Sequence, residues 1–184
     1  MTLYDTRLTT EELLVLSTEA LGRWNAHDAD GLVEHLTDDV VWTFPLQEEP
    51  LHGPAAVRED LEDMFTAFPD LRIPEDGFVP FVDTERQLTM QRWVMTGTMT
   101  GPSRSAGLPA TGRSVWIAGS TFCRVRAGSI WEWTTTYDAL DFMQQIGLLP
   151  RSDGMGFKAV VMADVLAGKA RKVLHRQRGP HPLS

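Results

Sequence analysis

The 184-residue chain has one cysteine, Cys123, and no apolar run long enough to span a membrane. A single cysteine cannot form an internal disulfide, which favours a reducing compartment, so we expect a cytoplasmic protein. The opening residues MTLYDTRLTTEELL have no basic segment followed by an apolar one, so no signal peptide is expected. The flanking residues TFCRVRA are typical of a strand, which predicts a core position for Cys123.

Two kinds of binding motif are also missing. No His, Cys or Asp cluster has the spacing of metal ligands. No glycine-rich phosphate loop follows a predicted strand. We therefore expect neither a metal nor any other cofactor.

Charge divides the chain into two parts. Residues 1–150 carry 23 acidic residues against 10 Lys and Arg, a net charge of −13. Residues 151–184 carry 2 against 7, a net charge of +5. The acidic body argues against nucleic acid as the main partner, and no membrane partner is expected. We interpret the basic end as a solvated tail, with docking on an anionic surface as the alternative.

Helical patterns come first and strand patterns follow. Thr9 and Glu12 form a capping-box pattern before an amphipathic helix over 10–27, and Pro54 lies near the first turn of a helix over 52–68. Period-two alternation then predicts a run of strands. The predicted strands are 40–45, 77–83, 87–100, 114–126 and 129–137, with a last helix over 139–146.

This order predicts an α+β fold in which a curved antiparallel sheet wraps around the N-terminal helices and leaves a cone-shaped cavity. No linker is visible before residue 150, so we assign residues 1–150 to one cone domain and 151–184 to a C-terminal helix and basic tail. Phe157, Val161 and Val165 are spaced four apart, which predicts that this helix packs on the domain or at the mouth of the cavity.

Five stretches occur in order over about residues 11–150. They are RWNAHDADGLVEHLTDDVVW, HGPAAVREDLEDMFTAFPDLRI, GTMTG, GLPATGRSV and YDALDFMQQIGLLP. Together they resemble the SnoaL-like polyketide cyclases of the nuclear-transport-factor-two-like superfamily. The resemblance implies a deep apolar pocket, a hydrophobic polyketide-like ligand and a homodimer formed through the outer face of the sheet. Members of this family cyclise polyketides, open epoxides, isomerise, dehydrate or only bind ligand, so the fold does not name the reaction.

The resemblance also shows where this chain departs from the family. The family's catalytic aspartate lies three residues before the Asp that opens the closing helix, so Asp138 matches the second position and Thr135 occupies the first. Asp138 is also a suitable helix N-cap for the N–H of Asp141, and we predict the capping role, with catalysis as the alternative. Met99 replaces a histidine that many members carry, and a thioether cannot shuttle a proton.

A branch of the family, the limonene epoxide hydrolases, uses an Asp–Arg–Asp set. Arg92 could supply the arginine, but Val94 and Thr135 stand where the two carboxylates would be. Epoxide hydrolysis by that route is therefore not expected.

Aromatic residues form the candidate ligand site. Alternation places Trp131, Trp133, Thr135 and Tyr137 on one face of the last strand, from which the family's catalytic side chain points into the pocket. A single tryptophan commonly fills a core, but several that converge on one cavity indicate a large, flat or polyene-like apolar ligand. The candidate substrate-binding residues are Trp24, Trp42, Gln91, Arg92, Trp93, Met99, Trp133 and Tyr137.

Asp60 is the remaining titratable candidate, at the edge of the apolar arc of its helix. If it projects inward, loss of water raises its pKa toward the range of a general acid. Its acidic neighbours Glu59, Glu62 and Asp63 favour the simpler interpretation of a solvated edge. The candidate catalytic residues are Asp60, Thr135 and Asp138.

Three hypotheses follow for the function. The first is a polyketide-cyclase-like enzyme of natural-product biosynthesis that promotes ring closure mainly by positioning, with a hydrogen-bond donor from Gln91, Arg92, Thr135 or Tyr137. The second is a non-catalytic protein that binds a hydrophobic ligand. The third is a cyclase that uses acid–base aldol or epoxide-opening chemistry through Asp60 or Asp138.

Overall fold

Two capped helices open the part of the chain that the computed structural model describes, residues 7–150. Helix α1 (Thr10–Asn25) begins at the predicted capping box, where the Glu12 N–H donates to Thr9 Oγ1 (3.3 Å) and the Thr9 N–H donates to the Glu12 carboxylate (2.8 Å). Helix α2 (Ala29–Val33) follows and is capped by Asp28. Local sequence signals therefore place both helix starts.

Helix α3 spans Gly53–Ala67 and has Pro54 in its first turn, as predicted. It buries Val57, Leu61 and Phe65 along one face, while its other face is solvated. A short 3-10 turn and four longer strands separate α3 from the last helix. The remaining elements are β1 (Leu36–Thr43), β2 (Leu51–His52), β3 (Phe78–Asp83), β4 (Leu88–Thr98), β5 (Ser114–Arg126), β6 (Ser129–Tyr137) and α4 (Ala139–Gln145).

The six strands form one curved, unclosed sheet in the order β2-β1-β6-β5-β4-β3. All neighbours are antiparallel except β1 and β6, which run parallel. The predicted α+β class is confirmed. Two details were missed: β1 begins at Leu36 and not at residue 40, and the two-residue β2 was not predicted because so short a strand carries no periodicity.

The helices pack on the sheet and enclose the core. Helix α1 contacts β3 and β4, and α3 contacts β1. Cys123 on β5 is buried, as predicted, and burial raises the pKa of its thiol to about 12. The predicted helix and basic tail of 151–184 lie outside the described residues. Within those residues, no helix has the length and apolar character needed to cross a membrane.

Candidate active site

A cavity of about 430 Å³ lies between the helices and the sheet. We call its buried lining residues from α1 and the strands, together with half-buried Trp24 and Thr135, the inner wall. We call the lining residues of segments 44–48 and 103–108, with Asp60, Asp63 and Tyr137, the rim. The inner wall is dominated by apolar and aromatic side chains, as ligand pockets commonly are. The volume also falls within the usual range for small-molecule sites.

Indole rings shape the inner wall. The Trp42 and Trp133 rings stack at 5.0 Å between centroids, with an angle of 30° between their planes. Trp93 lies over Gly119 of the next strand, where an added Cβ would come within 2.3 Å of the indole. Glycine at that position therefore makes room for the ring. Half-buried Trp24 completes this part of the wall from α1 and meets Phe65 edge to face.

Two threonine hydroxyls lie between these indoles. Trp93 Nε1–H donates to Thr121 Oγ1 (2.9 Å), and Trp42 Nε1–H donates to Thr135 Oγ1 (3.4 Å). The two hydroxyl oxygens are 3.5 Å apart, so one can donate to the other. Each hydroxyl has only one proton. One proton serves this bond, and the other remains for an acceptor on a ligand.

Two of the other candidate donors already make hydrogen bonds within the protein. Gln91 lines the cavity, but its Nε2 donates to Ser17 Oγ (3.1 Å) and Thr89 Oγ1 (2.8 Å), which satisfies both amide protons. The Tyr137 hydroxyl donates to the carbonyl oxygen of Pro45 over 3.4 Å. Of the predicted donors inside the cavity, Thr135 is therefore the best that remains, and it is paired with Thr121, which was not predicted.

Asp60 projects into the cavity, contrary to the solvated edge that its neighbours favoured. Burial and the adjacent charge of Asp63 raise its pKa to about 6, although a 3.3 Å hydrogen bond from Gln47 Nε2 acts in the opposite direction. Burial raises the pKa of the Tyr137 phenol to about 12, and the nearby charge of Asp60 contributes in the same direction. The carboxyl group can thus hold or release a proton near neutral pH.

Asp63 holds the 103–108 segment at the rim. Its carboxylate accepts bonds from Ser103 Oγ (2.8 Å), the Arg104 N–H (2.7 Å) and both the N–H (3.1 Å) and Oγ (2.7 Å) of Ser105. Burial alone would raise the pKa of Asp63, but these hydrogen bonds together hold it below its ordinary value. The pKa values of Asp60 and Asp63, which lie one turn apart on α3, are therefore shifted in opposite directions.

Asp138 is the N-cap of α4, as predicted. Its carboxylate accepts the Asp141 N–H at 2.9 Å, and its side chain is exposed and does not line the cavity. The alternative catalytic role for Asp138 is therefore not supported by its placement. Asp138, the residue that caps α4, therefore lies apart from the ligand site.

Two further expectations are wrong. Arg92 is exposed on the outer face of β4, because its neighbours Gln91 and Trp93 face inward. Trp131 leaves the inward row because β6 carries an extra residue opposite β5: Ile130 pairs with Val125 and Glu132 with Arg124, so 131 has no partner. The Trp131 ring instead lies near the guanidinium groups of Arg124 and Arg126, at 5.9 and 5.7 Å.

The remaining predicted substrate-binding residues, and Thr135, do line the cavity: Trp24, Trp42, Gln91, Trp93, Met99, Trp133, Thr135 and Tyr137. Met99 is 1% exposed, so a buried apolar side chain occupies the position where many family members carry a histidine. The indole N–H groups of Trp24 and Trp133 are buried and find no acceptor among residues 7–150. No group of three His, Cys, Asp or Glu side chains in that part of the chain could hold a metal ion.

Sequence reasoning missed Gln47 and the role of Asp63. Gln47 sits in an irregular segment after β1, and the loop donors to Asp63 lie about 40 residues further along the chain. Neither contact leaves a periodic or local signal. Only the fold brings these groups together.

A cone-shaped α+β domain with an apolar cavity between helices and sheet defines a class of small ligand-binding and catalytic proteins. The family model of the SnoaL-like polyketide cyclases matches residues 15–146, and the chain belongs to this family. The resemblance drawn from the sequence is confirmed. Family membership supports a cyclase-type function and a small polyketide-like ligand. No curated protein matches the chain in sequence.

Solved structures share the fold at low sequence identity. A protein described as a polyketide cyclase, from Xanthomonas campestris pv. campestris, is 22% identical with a TM-score of 0.66 and covers 78% of this chain and 100% of its own. AclR from Streptomyces galilaeus, described as a hydroxylase, is 21% identical with a TM-score of 0.65, covering 94% and 100%. The BvnE pinacolase from Penicillium brevicompactum is 17% identical with a TM-score of 0.60, covering 78% and 92%.

Proposed function

We propose that this protein is a cyclase of natural-product biosynthesis. Its cavity holds a large hydrophobic polyketide-like intermediate in a conformation folded for ring closure, and Asp60 transfers the proton that closure requires. The observation that carries the proposal is a carboxyl group in the wall of an otherwise apolar, aromatic cavity of about 430 Å³. This assigns to Asp60 the proton transfer that the family places at the position of Thr135.

Positioning accounts for the larger part of the expected rate. The stacked indoles of Trp42 and Trp133, with the Phe44 ring tilted against Trp42, leave a flat ligand few orientations, because aromatic pairs prefer defined geometries. Holding two reacting atoms in near-attack geometry can lower a barrier by roughly 7–11 kcal/mol. The spare hydroxyl proton of the Thr121–Thr135 pair would orient one ligand oxygen.

Asp60 supplies the acid–base step. As a carboxylate it would remove a proton from the carbon beside a ligand carbonyl, and that carbon would attack a second carbonyl. The oxygen of the second carbonyl would then take the proton back from the Asp60 carboxyl. A pKa of about 6 suits both directions, because neither protonation state is scarce near neutral pH.

The test is a pH–rate profile for ring closure of a fused-ring aromatic polyketone with one unclosed ring, followed by chromatography of the product. Asp60→Asn should lower the rate by about 10²–10⁴-fold, as loss of a general acid–base group does. Glu59→Gln, an exposed neighbour on α3, is the matched control and should leave the rate unchanged.

Two outcomes would contradict the proposal. A flat profile with an unchanged rate in Asp60→Asn would leave positioning alone as the catalytic device. Stoichiometric quenching of tryptophan fluorescence without turnover of any candidate would indicate the non-catalytic binding protein.

A homodimer is the second part of the proposal. The outer face of the sheet exposes a cross-strand row in which Phe81 neighbours Met90 and Met90 neighbours Phe122, with Trp116 further along β5. Phe81 and Trp116 are 53% and 59% exposed, and neighbouring apolar side chains that are exposed together mark interaction surfaces more often than single ones do. Light scattering should give twice the chain mass, and Trp116→Glu should reduce it to one chain mass.

A further inference from the structure

The charged side chains that line the cavity all have the same sign. Among the described residues, the lining includes Glu48, Asp60 and Asp63 and contains no Lys, Arg or His. Arg104 is in the rim segment, but only its backbone N–H contacts Asp63, and its side chain is exposed outside the lining. The cavity walls in this part of the chain therefore offer no cation to an anionic ligand.

Hydrogen bonding does not neutralise these carboxylates. The four donors to Asp63 are two hydroxyls and two backbone N–H groups, which stabilise its charge without cancelling it. Asp60 receives one weak bond from the neutral Gln47 amide. An anion that entered the cavity would meet like charge and lose water, and both effects disfavour its binding.

The aromatic wall favours the opposite charge. Trp24, Trp42, Trp93 and Trp133 all line the cavity, and the faces of aromatic rings attract cations within about 6 Å. Indole is the strongest of the natural rings in this respect. Carboxylates at the rim and indoles on the inner wall thus both favour a ligand with a positive charge.

We propose that the cavity takes an apolar ligand that carries a positive charge, and that it excludes ligands bearing a carboxylate or phosphate. The inference rests on the proposed function, because it describes the ligand of the same cavity. The indole faces and the carboxylates at the rim would both stabilise a cationic group on the bound ligand.

The experiment compares three probes on the full chain: anthracene bearing a methyl, an aminomethyl or a carboxyl group at the same carbon. Binding is measured near neutral pH by quenching of tryptophan fluorescence. The ammonium probe should bind at least about tenfold more tightly than the carboxylate probe, with the methyl probe between them. Glu48→Gln should narrow this difference, and Glu59→Gln, which does not line the cavity, should leave it unchanged.

Carboxylate binding as tight as ammonium binding would overturn the inference and leave the proposed cyclase intact, since the methyl probe would still show an occupied cavity. Failure of all three probes to bind would instead refute the cavity as a ligand site, and the proposed function with it. A ranking that persists unchanged in Glu48→Gln and in Asp60→Asn would show that the wall charges do not set the preference.

Discussion

The inner wall and the rim of the cavity satisfy their polar groups in different ways. On the inner wall the polar side chains are neutral and several of them bond to one another, as Gln91 does with Ser17 and Thr89. At the rim the polar side chains include carboxylates, and the Asp63 carboxylate is bonded to the 103–108 segment. A charge costs more to bury than a hydroxyl or amide, so ionisable groups remain where water is close.

This difference divides the proposed work between the two regions. The inner wall, with no ionisable side chain except the unreactive Cys123 thiol, would select the shape of the ligand. The rim, with Asp60 and Asp63 one turn apart on α3, would carry the proton chemistry. Paired carboxyl groups with separated pKa values commonly mark an acid–base site. Substitutions can therefore alter one region and leave the other in place.

The largest expected effect is on the inner wall. Trp133→Ala should reduce the free energy of unfolding by about 3–5 kcal/mol, because a buried indole that stacks on Trp42 would leave a void. Trp131→Ala, two residues away on the outer face, is the control and should cost about 1 kcal/mol or less. Urea denaturation measures both. Equal losses would mean that the two tryptophans do not differ in burial as the bulge in β6 requires.

Trp133→Phe keeps an aromatic ring in the wall and is the variant for activity. It should lower turnover or change the product distribution without moving the pH dependence, because no proton donor is lost. Thr135→Asp in the parent protein should not increase turnover, since it places a charge on the apolar inner wall. A shift of the pH–rate profile in Trp133→Phe would break the separation between shape and proton transfer.

At the rim, Asp63→Asn should release the 103–108 segment. The amide keeps one acceptor oxygen in place of two charged ones, and we expect a loss of about 1–3 kcal/mol in unfolding free energy. Amide hydrogen exchange at Arg104 and Ser105 should accelerate. The pKa of Asp60 should fall toward its ordinary value, because a neighbouring negative charge is gone. Carboxyl titration by NMR would reveal an unchanged Asp60 if burial alone sets its pKa.

Asp60→Asn should make stability less dependent on pH. The folded pKa of about 6 lies above the ordinary 3.8, so the folded state favours the proton, and this stabilisation is lost as pH rises through 6. The variant should therefore be more stable than the parent at pH 8, by about 1–2 kcal/mol after allowance for partial exposure, and equal to it near pH 4. Thermal melts across this range would contradict the assignment if the difference were constant or reversed.

The sequence predicted what local chemistry determines. The capping box of Thr9 and Glu12, the Pro54 turn and the strand alternation from Trp133 to Tyr137 each depend on residues close in the chain, and each was found in the structure. Family resemblance added the cone and its cavity. The position of Asp60 could not be obtained in this way, because a helix edge faces inward or outward according to what packs against it.

The same limit explains the errors at Arg92 and Trp131. Arg92 was chosen by comparison with a family motif, although its neighbours Gln91 and Trp93 already shared the inward parity. Trp131 was placed by unbroken alternation, and the extra residue in β6 is visible only from its pairing with β5. Contacts such as Asp63 with the 103–108 segment depend on loop closure over long separations in the chain. No pattern within a window of the sequence encodes them.

The smallest expected effect lies outside both regions, at Asp138. Asp138→Ala should cost about 1 kcal/mol of stability, because the Asp141 N–H loses its acceptor at the start of α4. Asp138→Asn should be nearly neutral, since asparagine caps about as well as aspartate, and its turnover should stay within a few-fold of the parent. Activity and melting measured on the same two variants separate a cap from an acid. A thousand-fold fall in rate for Asp138→Asn with normal melting would move the proton chemistry from the rim to the end of β6, since a neutral cap preserves the fold but cannot replace a catalytic carboxylate.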